Sequence, residues 1–176
     1  MALAYQEYYT VKDYKTWEGS WELIGGMPYA MSPSPSVTHQ AVSINVATQI
    51  KMALDAGNRQ CGKCQVLMET DWQVSNDTVV RPDVRVICKD VCETVTVVPE
   101  LIVEVVLSSS TKRDEVIKFE LYQKEGVGFY ILLYPSSKTV KIYKNSSEDF
   151  VLLSNNVECF ELGLCSLPIN FDEVWR

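Results

Sequence analysis

The sequence has little of what marks a membrane protein, a secreted protein or a protein coated with nucleic-acid-binding surface. No stretch approaches the roughly 20 consecutive apolar residues of a membrane span, and residues 1–7 lack the basic start and the apolar run of a secretory leader. The formal net charge of -7 counts against a surface covered with basic residues, although it permits a local basic groove. We therefore expect a cytoplasmic protein without a membrane segment.

The chain also lacks internal repeats and low-complexity segments. Its 176 residues are 47% apolar and 22% charged, which is ordinary globular composition and enough to bury a full core. We therefore expect one domain that spans residues 1–176. Six cysteines without a secretory leader predict reduced thiols rather than a disulfide framework.

Two pairs of cysteines leave a zinc site open as an alternative. The segment Cys61-Gly62-Lys63-Cys64 has a metal-ligand spacing, and Cys88 and Cys92 form a second, looser pair. A four-cysteine site requires the two turns to meet, and both pairs adjoin predicted strands, which favours metal-free thiols. Cys159 and Cys165 are expected to be packing thiols.

Helix and strand signals alternate along the chain. Apolar residues at helical spacing predict helices, and alternating or β-branched runs bounded by turn residues predict strands. The predicted helices span residues 10–18, 35–56 and 111–125. The predicted strands span residues 21–24, 27–31, 65–74, 78–88, 101–107, 129–134, 139–143 and 150–153. This order predicts an α/β (α+β) fold, in which helices flank a mixed β-sheet core and an apolar tail covers the sheet.

An acidic residue inside an apolar strand is the feature around which the sequence is organised. The run Leu101-Ile102-Val103-Glu104-Val105-Val106-Leu107 has the composition of a central strand covered on both faces. An unpaired charge in such a strand costs several kcal/mol. Glu104 must therefore be protonated, paired with a cation or bound to a metal, and a purely structural ion pair is the alternative to a metal site.

A second acid is expected beside Glu104. The segment Arg81-Pro82-Asp83 opens a strand whose alternation suits one polar edge. Where neighbouring strands bring Asp83 and Glu104 side by side, their charges repel unless a divalent cation neutralises them. Mg²⁺, or Mn²⁺, fits because such ions take oxygen ligands and bind through one or two carboxylates. The alternative is that Asp83 merely ends a strand and pairs with Arg81 or Arg85.

The helix after the Glu104 strand supplies a lysine. Asp114, Lys118 and Tyr122 form a row at four-residue spacing. This row lies beside a predicted buried stripe of Ile117 and Leu121, so Lys118 leans toward the core. Its ammonium group can stabilise a phosphodiester transition state or orient a hydrolytic water. An ordinary helical ion pair between Lys118 and Asp114 is the alternative.

The single histidine lies at the edge of an apolar helix face. The helix is predicted to start behind Ser34 as its N-cap, and His39 precedes Val42, the first residue of that face, by three positions. His39 therefore points toward the sheet, near a helix N-terminus. It is either a site residue or a core histidine satisfied by a backbone carbonyl.

Pro82-Asp83, Glu104 and Lys118 together resemble the motif of the PD-(D/E)xK nuclease superfamily. Val106 stands where the standard motif has its lysine, and Lys118 matches the variant whose lysine lies on the following helix. A longer series resembles the Uma-two family of restriction-endonuclease-like proteins over roughly residues 10–145. Its segments are Trp21-Glu22-Leu23-Ile24, Met31-Ser32-Pro33 with His39, Arg81-Pro82-Asp83, Val103-Glu104-Val105 and Asp114/Lys118/Tyr122.

The resemblance implies a restriction-endonuclease-like fold and a metal-dependent active site. It implies Glu22, Asp83, Glu104 and Lys118 as catalytic residues, with Asp83, Glu104 and Glu22 as ligands of a divalent metal. We add His39 as a candidate catalytic residue at the rim of the same cleft.

We therefore predict an Mg²⁺-dependent endonuclease that hydrolyses phosphodiester bonds of DNA, with RNA as the other substrate left open. A homodimer is expected, because cutting both strands needs two active sites and two-fold dimers are the commonest assembly. The alternatives are a catalytically inactive nuclease-fold module that binds DNA or protein, favoured by the acidic composition, and a zinc-stapled scaffold.

Overall fold

The computed structural model describes residues 7–31, 34–59, 61–147, 149–153 and 159–176. Residues 1–6, on which the expected absence of a leader depends, lie outside the described residues. So do Ser32 and Pro33, which belong to one segment of the family resemblance. The described helices are α1 (Val11–Tyr14), α2 (Val37–Ala56) and α3 (Lys118–Lys124). The described strands are β1 (Trp21–Ile24), β2 (Met27–Ala30), β3 (Gln65–Met68), β4 (Trp72–Ser75), β5 (Thr78–Val80), β6 (Val84–Ile87), β7 (Leu101–Val105), β8 (Phe129–Tyr134), β9 (Thr139–Ser146), β10 (Asp149–Leu152), β11 (Cys159–Leu162) and β12 (Cys165–Pro168).

These strands form three sheets. The central sheet has six strands in the order β10-β9-β8-β7-β6-β3; β7 and β8 are parallel and every other described pair is antiparallel. A four-stranded antiparallel sheet has the order β2-β1-β5-β4, and β11 pairs with β12. The predicted α+β fold with a mixed sheet and flanking helices is therefore confirmed, although the strands are divided among more than one sheet.

Two strands predicted as continuous are interrupted, and their halves belong to different sheets. The predicted strand 65–74 breaks at Glu69, which has a φ of 46°, and the predicted strand 78–88 breaks at Arg81-Pro82-Asp83. Because proline has no N–H to donate, it interrupts a ladder of backbone hydrogen bonds. Both interruptions lie beside the cavity described below.

Helix α2 covers one face of the central sheet. Its N-cap is Ser36 rather than the predicted Ser34, and the Ser36 side chain accepts a hydrogen bond from the His39 N–H at 3.1 Å. The apolar face Val42, Val46, Ile50 and Leu54 is buried in the core with β6, β7 and β8. The packing therefore fixes His39, one turn before Val42, at the edge of the sheet.

The helical segment after β7 buries a different face from the predicted one. Asp114, Lys118 and Tyr122 are buried, whereas Ile117 and Leu121 are only partly buried. A π-helical turn, Arg113–Ile117, precedes α3, and its wider turn rotates the following residues relative to a regular α-helix. The polar row therefore faces the protein interior.

The prediction that all six cysteines are reduced is wrong for four of them. Disulfides join Cys61 to Cys165 and Cys64 to Cys88. The second disulfide continues the antiparallel ladder in which Gln65 pairs with Ile87. The zinc alternative is also overturned, because three of its four candidate ligands are in disulfides and Cys92 is exposed and free. Cys159, predicted to be a packing thiol, is exposed and free as well.

The C-terminal segment covers the central sheet much as predicted. Phe160 is fully buried, and Phe171 and Trp175 pack against the same core as α2, whereas Leu164 is exposed. Within the described ranges, no helix has the length and apolar character needed to cross a membrane.

Candidate active site

All five predicted site residues line one cavity of about 330 Å³. Glu22 comes from β1 and His39 from the first turn of α2, Asp83 immediately precedes β6, and Glu104 lies in β7. Lys118 is the first residue of α3. Residues from both large sheets and two helices thus converge on one site.

The register of the central sheet places the two principal acids together. Val84 pairs with Val103 in the antiparallel β6–β7 ladder, so the next pair outward brings Asp83 beside Glu104. The Asp83 N–H donates to Glu104 Oε2 at 3.3 Å, and the Val105 N–H donates to Asp83 Oδ2 at 2.7 Å. Asp83 makes no ion pair with Arg81 or Arg85 in the described structure: Arg81 pairs with an aspartate outside the cavity, and the Arg85 guanidinium donates to Thr70 and Asp71.

Lys118 is held by three carboxylates inside the protein. Its Nζ lies 2.9 Å from Glu22 Oε1, 2.9 Å from Glu104 Oε1 and 3.8 Å from Asp114 Oδ1. The side chain of Lys118 is only 4% exposed, so the pairing with Asp114 is not an ordinary surface ion pair. The Tyr122 hydroxyl donates a further bond to Glu104 Oε1 at 3.0 Å.

Burial and neighbouring charges shift the pKa values of this network in different directions. Burial raises the pKa of Glu104 well above its ordinary value, and the nearby Asp83 carboxylate raises it further against the opposing charge of Lys118. For Lys118, burial lowers the pKa, but the surrounding carboxylates outweigh burial and raise it well above its ordinary value. Lys118 therefore keeps its charge, and the raised pKa of Glu104 widens the pH range over which this acid is protonated.

Asp83 and His39 form a second pair within the cavity. His39 Nε2 lies 3.1 Å from Asp83 Oδ2. Burial raises the pKa of Asp83, but the His39 hydrogen bond and the charge of Lys118 outweigh burial and lower it. Burial lowers the pKa of His39, but its hydrogen bond to Asp83 and that carboxylate's charge produce a net increase. His39 is thus bound to a side chain, and not to a backbone carbonyl as the core-histidine alternative requires.

Glu22 is the most completely paired of the predicted acids. Its Oε1 accepts from the Arg81 N–H at 2.8 Å and from Lys118, and its Oε2 accepts from Arg113 Nη1 at 3.3 Å. The side chain has no exposed surface. Glu22 therefore holds Lys118 and Arg113 in place whether or not it also reaches a metal.

Glu69 is a site residue that the sequence patterns did not reveal. One ligand atom from each of His39, Glu69 and Asp83 lies within 4.8 Å of the others. Met68 pairs with Val84 in the β3–β6 ladder, so Glu69 follows β3 where Asp83 precedes β6, and the Glu69 N–H donates to the Asp83 carbonyl at 3.3 Å. An acid at the end of β3 is the signal that could have identified Glu69. Because the sequence predicted one continuous strand over residues 65–74, the end of β3 at Met68 was not recognised.

The charges of the cavity suit a divalent cation. Five carboxylates line it, whereas its cationic side chains are Arg81, Arg113 and Lys118. The acidic side chains therefore outnumber the cationic ones five to three, and oxygen donors are the ligands that Mg²⁺ prefers. The acids are Glu22, Glu69, Asp83, Glu104 and Asp114.

Comparisons with known proteins agree with this fold. The sequence matches the model of the Uma2 family, described as "Putative restriction endonuclease", over residues 5–163. The crystal structure of a putative nuclease belonging to DUF820 from Anabaena variabilis ATCC 29413 superimposes with a TM-score of 0.73, at 14% identity, covering 94% of this chain and 97% of that chain. A search of curated proteins finds no match. The structural likeness shows the fold, and the family match over most of the chain shows that this protein belongs to the Uma2 family.

Proposed function

We propose that this protein is a metal-dependent endonuclease that hydrolyses phosphodiester bonds of DNA, in the manner of PD-(D/E)xK nucleases. The observation that carries the proposal is the excess of carboxylates around a buried, charged lysine in one open cavity. Two comparisons support the same class of reaction, since the Uma2 family is described as "Putative restriction endonuclease" and the Anabaena protein as a "putative nuclease".

Asp83 and Glu104 are the proposed principal metal ligands, with Glu22 as the third acid. An Mg²⁺ or Mn²⁺ ion held by these acids would supply a Lewis acid and would lower the pKa of a water molecule. Asp83 is held toward the cavity by the Val105 N–H and His39, and Glu104 is oriented by Lys118 and by Tyr122. Glu22 keeps Lys118 in place. It also becomes a metal ligand if its bond to Arg113 is replaced by a bond to the metal.

Lys118 is the proposed electrostatic catalyst. Lys118 lines the cavity, and its charge is maintained by the carboxylates around its ammonium group. A fixed positive charge at this wall stabilises the additional negative charge of a phosphodiester transition state. Arg113 lines the same cavity and can contact a substrate phosphate, since its guanidinium is partly exposed.

The remaining parts of the proposal are the substrate, the assembly and the location. DNA is the proposed substrate, with RNA as the comparison, and a homodimer would provide one site for each strand. The two disulfides remove one argument for a cytoplasmic location, because disulfides are uncommon in that compartment. Cell fractionation, beside alkylation of the free thiols before lysis, tests the location.

A nuclease-fold module that binds without cleaving is the second candidate. The observation in its favour is that Lys118 and Arg113 already neutralise both oxygens of Glu22 and one oxygen of Glu104. Such a module would bind DNA or a protein with equal affinity in a metal chelator and in Mg²⁺, and would leave plasmid DNA intact.

A cleavage assay separates the two candidates. Supercoiled plasmid, linear duplex DNA and RNA are incubated with the protein in Mg²⁺, in Mn²⁺ and in chelator. We expect metal-dependent cleavage by the parent protein and its loss in Asp83→Asn, while Asp55→Asn retains it because Asp55 is exposed, pairs with Lys51 and does not line the cavity. Equal cleavage by Asp83→Asn and the parent, or no cleavage of any substrate in either metal, would refute the proposed nuclease activity.

A further inference from the structure

We propose that His39, Glu69 and Asp83 form a second metal position, which takes a first-row transition cation in preference to Mg²⁺. The inference rests on the proposed function for the role of Asp83, which would be shared by the two positions. The inference makes Glu69 a metal ligand, whereas the metal site of the proposed function does not include Glu69.

The geometry of the three side chains suits a single ion. Their ligand atoms lie within 4.8 Å of one another. Ligands at about 2.0–2.2 Å from one metal lie within roughly 4.4 Å of each other, so a contraction of a few tenths of an ångström closes the set. Glu69 is exposed and its carboxylate accepts a bond from the Gln40 side chain at 2.9 Å, so it can move by this amount.

The state of His39 is a second and independent observation. The residue is only 9% exposed, lines the cavity and bonds Asp83 through Nε2, whereas Nδ1 has no hydrogen-bond partner in the described part of the chain. A buried polar atom without a partner is uncommon in folded proteins. Metal-binding histidines present one ring nitrogen to the metal, and Nε2, which faces the Asp83 carboxylate at 3.1 Å, is the proposed ligand atom.

The donor set indicates which cation the position selects. Imidazole nitrogen is a ligand for transition metals, whereas Mg²⁺ takes oxygen ligands and keeps its waters. The pair formed by Asp83 and Glu104, by contrast, offers oxygen ligands alone. Two positions that share Asp83 would form a pair of the kind that spans attacking and leaving oxygens at about 3.5–4 Å separation.

Nitrogen ligation is the direct test, and Mn²⁺ is the probe because it binds carboxylates well and the thiols of free cysteines weakly. Pulsed electron paramagnetic resonance of the full chain with one equivalent of Mn²⁺ should show coupling to a directly bound nitrogen. His39→Gln should abolish that coupling. Glu69→Gln should weaken Mn²⁺ binding at least about tenfold, while Glu93→Gln, which removes an exposed acid outside the cavity, should leave it unchanged.

The outcomes separate this inference from the proposed function. Mn²⁺ binding without nitrogen coupling, or with equal affinity in Glu69→Gln and the parent, would overturn the second position. If Mn²⁺ bound without nitrogen coupling and this binding were lost in Glu104→Gln, the metal site of the proposed function would be supported and the second position would not. Absence of any Mn²⁺ binding to the parent protein would overturn both. Because Glu69 is exposed, its substitution tests the inference even if His39→Gln fails to fold.

Discussion

The two sides of the cavity differ in how completely their charged groups are paired. On the closed side, which we define as Glu22, Glu104, Asp114, Lys118 and Tyr122, each residue is at most 4% exposed and Lys118 contacts three acids. On the open side, defined as His39, Glu69 and Asp83, there is no lysine or arginine ion pair in the described structure. The closed side is therefore organised in advance of binding, whereas the open side has ligand capacity to spare.

This difference indicates how the fold divides stability from function. A buried charge is tolerated only when it is paired and hydrogen-bonded, and the closed side meets that condition through residues from β1, β7, the π-helical turn and α3. On the open side, Asp83 is held by His39 and the Val105 N–H, and the exposed Glu69 is held by the Gln40 side chain. We expect substitutions on the closed side to change the free energy of unfolding most, and substitutions on the open side to change metal binding most.

Lys118→Met should have the largest effect on stability. It leaves the carboxylates of Glu22, Glu104 and Asp114 buried without their common cation. Breaking a buried ion pair costs about 3–5 kcal/mol, and denaturant unfolding in chelator measures it. Lys51→Met is the matched control, because the Lys51–Asp55 pair is exposed and contributes only a few tenths of a kcal/mol. Equal stability of Lys118→Met and the control would contradict the description of the closed side.

Tyr122→Phe should have an intermediate effect. The change removes the hydroxyl that donates to Glu104 at 3.0 Å while preserving the stacking on Trp72. Loss of one buried hydrogen bond costs about 1 kcal/mol. Tyr143→Phe is the control, since the Tyr143 hydroxyl makes no side-chain hydrogen bond among the residues described. The prediction fails if both variants unfold at the same denaturant concentration.

Glu104→Gln should have the smallest effect on stability in chelator. Glutamine resembles the protonated glutamic acid that burial favours, and its carbonyl can still accept from Lys118. We expect a change within about 1 kcal/mol, together with a loss of metal binding. If Glu104 were solely the ionised partner of Lys118, the loss would be on the order of 3 kcal/mol. Thermal and denaturant unfolding of the two proteins in chelator distinguishes these results.

The same pair of proteins gives a pH prediction. Because the pKa of Glu104 is raised on folding, the protonated acid contributes stability that is complete below the ordinary value of 4.5 and is lost as pH rises through the folded value. In chelator, the parent should therefore lose stability relative to Glu104→Gln as pH rises above about 4.5. Unfolding free energies measured across this range would contradict the prediction if their difference did not change with pH.

The sequence predicted that Glu104 and Lys118 lie close together, because the signals for this pair are local. An acid within an apolar strand has to be compensated, and the spacing of Asp114, Lys118 and Tyr122 places a cation beside it. The mixed fold followed from the order of strand and helix patterns. Membership of the Uma2 family followed from the motif residues, and the family match confirms it.

The open side and the disulfides could not be read from the sequence in the same way. Glu69 becomes a site residue only because the chain turns at a positive φ after β3 and pairs this strand with β6. The disulfides depend on long-range contacts, since Cys61 and Cys165 are 104 residues apart. The buried face after β7 was misjudged because the π-helical turn changes the helical phase, which apolar spacing alone does not reveal.

A divalent metal titration of the parent and Asp83→Asn in parallel tests the central claim most directly. Asp83 is the residue common to the oxygen-rich site and the open side, and its substitution by asparagine keeps an oxygen for the Val105 N–H. Isothermal calorimetry should show saturable binding of Mg²⁺ and Mn²⁺ to the parent and at least about tenfold weaker binding to Asp83→Asn. Equal affinities in the two proteins, with both fully folded by circular dichroism, would contradict the account.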